Sequence, residues 1–213
     1  MSMPEPPPRI SEPQPRPVFI YGILRSLPLL TAVLTGGATD ISLVSELVRP
    51  GRIYGYGQFL LRNNIDIPAL VERDWASSVD GYLLEVETAS QRKALDDFKG
   101  EKYYVIERVV VTTLDGKLPR AFEADVYLWA GNEYEVTSIP WNFEDFETRS
   151  LGNWLRLCRG ELGDFERVDE KGMSYSDKPL HEMFWQAVDG VTNGCLWSSA
   201  KELNYWGFLL TGT

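Results

Sequence analysis

The sequence predicts an α+β fold, mostly β before residue 130 with a helical addition after it. Three observations carry this. Short runs rich in branched and aromatic residues recur from VFIY (18–21) to AFEADVYLWAG (121–131). Between them, ASQRKALDDF (89–98) has helical spacing, with Ala94, Leu95 and Phe98 forming one apolar stripe. Helical spacing returns in WNFEDFETRSLGNWLRLC (141–158), at Phe143, Phe146, Leu151, Trp154, Leu155 and Cys158.

The elements follow in order. Residues 1–17 hold Pro4, Pro6, Pro7, Pro8, Pro13, Pro15 and Pro17, which remove backbone donors and favour extended geometry, so a flexible tail is expected. VFIY is a compact strand ended by Gly22. LPLLTAVLTGG (27–37) is a short helix closed by Gly36 and Gly37. In ISLVSELVRPGRIYGYGQFLL (41–61), Pro50-Gly51 is expected to separate two strands, and Gly55 and Gly57 around Tyr56 mark a bend or a close backbone approach. Residues 62–78 read as a loop region. In VDGYLLEVET (79–88), Leu84 and Val86 face inward and Glu85 and Glu87 outward, with a bend near Gly81. Gly100 stops the helix that follows. YYVIERVVVTT (103–113) is a long strand, and Asp115-Gly116 turns it toward the returning strand 121–131. Asn142 caps the last helix, with Asp145 as its acidic partner. Residues 160–180 are polar and loop-like, while Trp206 and Phe208 are expected to pack the C-terminal part on the main domain.

With 213 residues the chain supports one substantial core. A net charge of −10 sets it against nucleic-acid backbones and anionic membranes, and no basic stripe offsets this. No helix-turn-helix, zinc-finger pattern or glycine-rich nucleotide loop is visible. Cys158 and Cys195 are expected as two separate reduced thiols, and His181 has no neighbouring ligand pattern, so neither a metal nor a cofactor is expected. No apolar run reaches the about 18 residues of a membrane span. The start, MSMPEPPP, lacks the order of a secretory signal, which makes a cytoplasmic location the default expectation. The oligomeric state is not legible.

The ordered set FIYGILR, VDGYLLEV, LDDFKG, YYVIERVVV and ADVYLW resembles the gamma-glutamylcyclotransferase superfamily, most closely its AIG2-like branch and fungal proteins of that kind. The resemblance spans roughly 18–158 and implies a mixed β-barrel or twisted sheet with peripheral helices, preceded by the tail 1–17 and followed by an extension, 159–213, packed on the same domain. It implies a small-molecule substrate, a gamma-glutamyl amine or peptide, whose α-amine attacks its own gamma carbonyl and releases 5-oxoproline. Such a ring closure needs held geometry, proton transfer and a place for developing negative charge. Two other functions stay open: a catalytically silent small-molecule-binding or protein-interaction domain, and a non-standard cyclisation or amide-processing enzyme.

Tyr21, Gly22, Ile23 and Leu24 match the family's tyrosine–glycine–variable–leucine segment, which the resemblance implies as a wall of the substrate pocket. Glycine permits close approach, and consecutive amides can cradle a carboxylate or oxyanion. Arg25 would add a charged hydrogen bond to a substrate carboxylate. Lys99 stands where the family commonly has the glutamate that moves protons. Lowering a lysine to a pKa of about 7 takes roughly 4–5 kcal/mol. Three alternatives remain for it. It is a helix-end surface residue and the reaction is lost; or Glu101 carries the proton, with Glu85, Glu87 and Glu107 as weaker substitutes; or Lys99 serves altered chemistry, such as stabilising an anion. Asp96 reads as structural. Tyr103 is the closer match to the family's aromatic position, ahead of Tyr104, and Val105 stands near a position often carrying arginine. Trp141, Phe143, Phe146 and Trp154 either wall a pocket or hold the helical addition in place.

Overall fold

A computed structural model describes residues 15–62, 64–100, 102–116 and 118–159. The tail 1–14, the extension 160–213 with His181 and Cys195, and Glu101 all fall outside the described residues.

Among the described residues, eight strands and five helices follow one another: β1 Val18–Ile20, α1 Leu27–Thr35, α2 Ser42–Ser45, β2 Val48–Tyr54, β3 Tyr56–Leu61, β4 Asn64–Glu72, β5 Ser78–Leu84, α3 Ala89–Lys99, β6 Tyr104–Thr113, β7 Ala121–Trp129, β8 Val136–Pro140, α4 Phe143–Arg149 and α5 Leu151–Cys158. Five strands close a barrel in the order β1-β5-β2-β6-β7, and a separate sheet runs β4-β3-β8. Most pairings are antiparallel; the barrel closes through a short parallel contact, Val18 opposite Asp125.

Strand alternation sorts the core into two clusters. Phe19, Ile53, Val79, Leu83, Val111, Ala124 and Val126 come from all five barrel strands and meet in one. Val18, Ile20 and Leu84 point the other way, into a second cluster with Leu29 and Leu30 of α1, Leu95 and Phe98 of α3, and Trp154 of α5. Each buried Leu or Phe side chain contributes about 1.5–3 kcal/mol, so both faces of β1 are held strongly.

Three segments depart from the sequence expectation. Pro50-Gly51 does not separate two strands: β2 runs through it and pairs with β5 from Val48–Leu84 to Tyr54–Ser78. The turn comes at Gly55, whose φ is +82°. Gly51 lies opposite Gly81; a Cβ on Gly81 would collide with the Ile20 carbonyl and one on Gly51 with Val111, so the glycines let β1 crowd β5 and β6 crowd β2. Residues 62–78 are not a loop, because β4 occupies most of that segment and pairs with β3. β4 carries Pro68 and lies at the edge of its sheet, where a strand proline is tolerated. The helical addition is two helices that meet at Ser150 rather than one. The Asn142 cap forms as expected, its side chain accepting from the Asp145 amide at 3.1 Å.

Candidate functional site

α3 delivers the central side chain. Its start is fixed by Thr88, whose Oγ1 accepts from the Gln91 amide at 3.1 Å. Arg92 then straps the helix to the barrel, donating to Asp96 at 3.1 Å and to Asp125 on β7 at 2.8 Å. Asp96 also accepts from the Tyr127 hydroxyl at 2.6 Å, which is the structural role the sequence suggested. With one face tied to β7 and with Leu95 and Phe98 buried, the last turn drives Lys99 inward.

Lys99 is 5% exposed, which overturns its reading as a surface residue. Its Nζ lies 4.5 Å from the Tyr21 ring centre, 4.8 Å from Tyr104 and 5.9 Å from Tyr127. Among the described residues it has no carboxylate or hydrogen-bond partner. The phenols are engaged elsewhere: Tyr21 donates to the Tyr127 carbonyl, Tyr127 to Asp96, and Tyr104 reaches the Pro68 carbonyl at 3.5 Å.

Burial pulls the Lys99 ammonium down from 10.5 to about 7. The ring faces and the helix C-terminus favour the charged form, but loss of water outweighs them. Burial pushes the Tyr21, Tyr104 and Tyr127 hydroxyls upward, so they stay protonated at neutral pH. The amine is therefore the group in this cluster that titrates near neutrality. Neutral, it is a base and a nucleophile; charged, it stabilises an anion.

The first glycine segment lies against the same cluster. Gly22, with φ +62°, opens a 3-10 turn, Gly22–Arg25. A Cβ there would strike the Pro68 ring, so only glycine lets β4 settle on this turn. Gln58 Oε1 sits over the same glycine and is buried with no hydrogen-bond partner. Tyr21, Ile23 and Leu24 are core residues. Arg25 turns toward α4, its guanidinium 4.6 Å from the Phe143 ring centre. Tyr103 stacks on Trp129 at 6.0 Å, and Trp129 meets Tyr104 edge-on at 5.7 Å. The tyrosine that reaches Lys99 is thus Tyr104 rather than Tyr103.

The structure brings Lys99 together with Tyr21 and adds Tyr104 and Tyr127, while Gly22, next to Tyr21, meets Pro68 and Gln58. Tyr104 was legible as the alternate face of a strand, whereas Tyr127 needed the β1–β7 closure to be seen. The substitute acids lie apart: Glu85 pairs with Arg49 at 2.7 Å on the surface, and Glu87 and Glu107 are exposed. Trp141 and Trp154 hold the helical addition, because their indoles and the Ser150 hydroxyl all donate to Asp66, at 2.9, 3.2 and 2.6 Å. Cys158 is buried, its thiol pushed up to about 11 by desolvation. Among the described residues no three His, Cys, Asp or Glu side chains group as metal ligands, and no helix is long and apolar enough to cross a membrane. Surface hollows of about 420 Å³ beside Arg49 and Arg120, and of about 310 Å³ beside Tyr54 and Arg108, are not lined by the Lys99 cluster.

A closed five-strand barrel with a second sheet and peripheral helices, carrying a tyrosine–glycine turn whose tyrosine ring meets the buried Lys99, defines an α+β barrel domain. The family model for gamma-glutamyl cyclotransferase, AIG2-like, matches residues 18–148, and the chain belongs to that family. Among solved structures, the chain is similar to an Arabidopsis thaliana protein known in solution, 19% identical, covering 79% of this chain and 98% of that one with a TM-score of 0.49. It is also similar to an AIG2-like protein from mouse, 20% identical, covering 60% and 85% with a TM-score of 0.42. A yeast gamma-glutamyl cyclotransferase specific to glutathione is 11% identical, covering 85% and 97% with a TM-score of 0.43. No curated protein matches the chain. The family match over residues 18–148 singles out no fungal member.

Proposed function

We propose that the chain is a gamma-glutamylcyclotransferase-like enzyme that releases 5-oxoproline from a gamma-glutamyl amine or peptide, with the Lys99 amine as proton carrier. The observation that supports this reading is Lys99 itself, buried on three tyrosine faces with no acid beside it among the described residues. A group near pKa 7 has a populated base form and a populated acid form at neutral pH. It takes a proton from the substrate's attacking α-amine and returns one to the departing nitrogen. Amides of the Gly22 turn would hold the carboxylate or developing oxyanion of the gamma-glutamyl end. Arg25, on the Phe143 ring, and Tyr103, on Trp129, would serve the attached amine rather than the reacting carbonyl. Glu101 is the rival proton carrier.

Product detection over a panel of gamma-glutamyl amines and peptides is the test. Turnover above a heat-treated control is expected, with a rising limb near pH 7. Lys99→Ala is expected to abolish turnover while Glu101→Gln keeps it; the reverse pattern assigns the proton to Glu101. A second reading has its own support. The Pro68 ring covers Gly22, as it would in a domain that no longer opens its pocket to substrate. Folded protein that converts no member of a broad panel favours this silent version.

A further inference from the structure

We propose that Lys99 is also a carbonyl-capture site, its amine condensing with a small, uncharged aldehyde to give an imine held among Tyr21, Tyr104 and Tyr127. This activity goes beyond ring closure and does not depend on it. The geometry is that of a shielded nucleophile. The amine lies within 4.5–5.9 Å of three ring centres, has no ion-pair partner among the described residues, and is 5% exposed, which favours small reactants.

The step balances without an oxidant or reductant. The nitrogen lone pair bonds to the carbonyl carbon, and the C=O pair moves to oxygen, which takes a proton from nitrogen. The carbinolamine then loses water as C=N forms. The walls select the electrophile. An aldehyde and a neutral imine carry no charge into the site, and an iminium would rest on the same ring faces as the ammonium. An anionic adduct would meet the negative faces of those rings and is disfavoured.

Among the described residues, the groups facing the amine are Tyr21 just past β1, Tyr104 from β6 and Tyr127 from β7, with Asp96 of α3 behind the Tyr127 hydroxyl and itself paired with Arg92. Burial keeps the three phenols protonated through the neutral range, so reaction rate there follows the lysine.

The test uses the full wild-type chain with propionaldehyde and cyanoborohydride, which reduces the imine to a stable alkylamine, followed by peptide mass mapping. An ordinary lysine of pKa about 10.4 is neutral in about one molecule per 2,500 at pH 7. Lys99 is expected to label at least about tenfold faster than exposed Lys93 at pH 7, allowing about two decades for restricted access. The advantage should vanish at pH 10 and in urea. An unlabelled Lys99 peptide where Lys93 has reacted would overturn the proposal, as would selectivity that survives unfolding. Glyoxylate, an anionic aldehyde, should react more slowly at Lys99 than propionaldehyde; equal rates would overturn the assignment to uncharged aldehydes. Because the readout is an adduct mass, a failure to release 5-oxoproline leaves this result intact.

Discussion

Lys99→Met removes an ionisable group from the core while keeping an unbranched stem of similar reach. The structure sets the size of the effect. A pKa displaced from 10.5 to about 7 corresponds to about 5 kcal/mol between the two protonation states. The sign follows from proton counting. Between the two values the unfolded chain carries the proton and the folded chain does not, so wild-type stability rises with pH across that window. Below about pH 7 both states are charged, and the folded state bears the full cost of a buried ammonium. The variant should therefore be more stable than wild type by up to about 5 kcal/mol at pH 6. The difference should shrink by about 1.4 kcal/mol per pH unit from pH 7 and level off above 10.5. A constant packing offset between methionine and lysine shifts this curve without changing its slope. Urea unfolding of both proteins from pH 6 to pH 10.5 measures it, and other titrating groups cancel in the comparison. A difference that stays flat with pH would refute the reasoning, because it would mean that Lys99 keeps an ordinary pKa in the folded chain.

Further outcomes are expected elsewhere in the site. Gly22→Ala places a Cβ into the Pro68 ring at a φ of +62° and should cost about 1–3 kcal/mol by urea titration; adding Pro68→Ala should recover the steric part and leave the backbone part. Tyr127→Phe removes the donor to Asp96 and should lower stability by about 1.5–3 kcal/mol in the same assay. Asp66→Ala leaves the Ser150 hydroxyl and the Trp154 indole without their acceptor but spares the Trp141 bond, which goes to a backbone carbonyl; a loss of about 2–3 kcal/mol is expected, read by tryptophan fluorescence during unfolding.

The barrel strands were legible because alternation of buried and exposed residues is a local property. Leu84 and Val86 face in and Glu85 and Glu87 out, as their spacing required. The errors arose where a residue type had two meanings. Pro50 read as a break and 62–78 as a loop, yet Pro50 and Pro68 both sit inside strands. For Lys99 the sequence left a solvated helix end open beside two functional readings, because lysine next to three acids is often exposed. Its burial comes from Arg92 binding Asp125, a partner on a distant strand, and sequence spacing carries no trace of that bond. The choice between Tyr103 and Tyr104 turned on strand register, which is fixed by Tyr104 facing Trp129 across β6 and β7.

The hoop of strands is clasped by a hook of only three residues, Val18–Ile20, touching β7 in parallel at one position. Beside it, the Asp125 amide donates to the Pro17 carbonyl at 2.9 Å and Arg16 grips the Asp125 carboxylate at 2.6 Å. Tyr21, one residue past that hook, forms a wall of the lysine cage. Unfastening the clasp would thus slacken the cage before the rest of the hoop lets go, and deuterium uptake at the Asp125 amide would keep time with it.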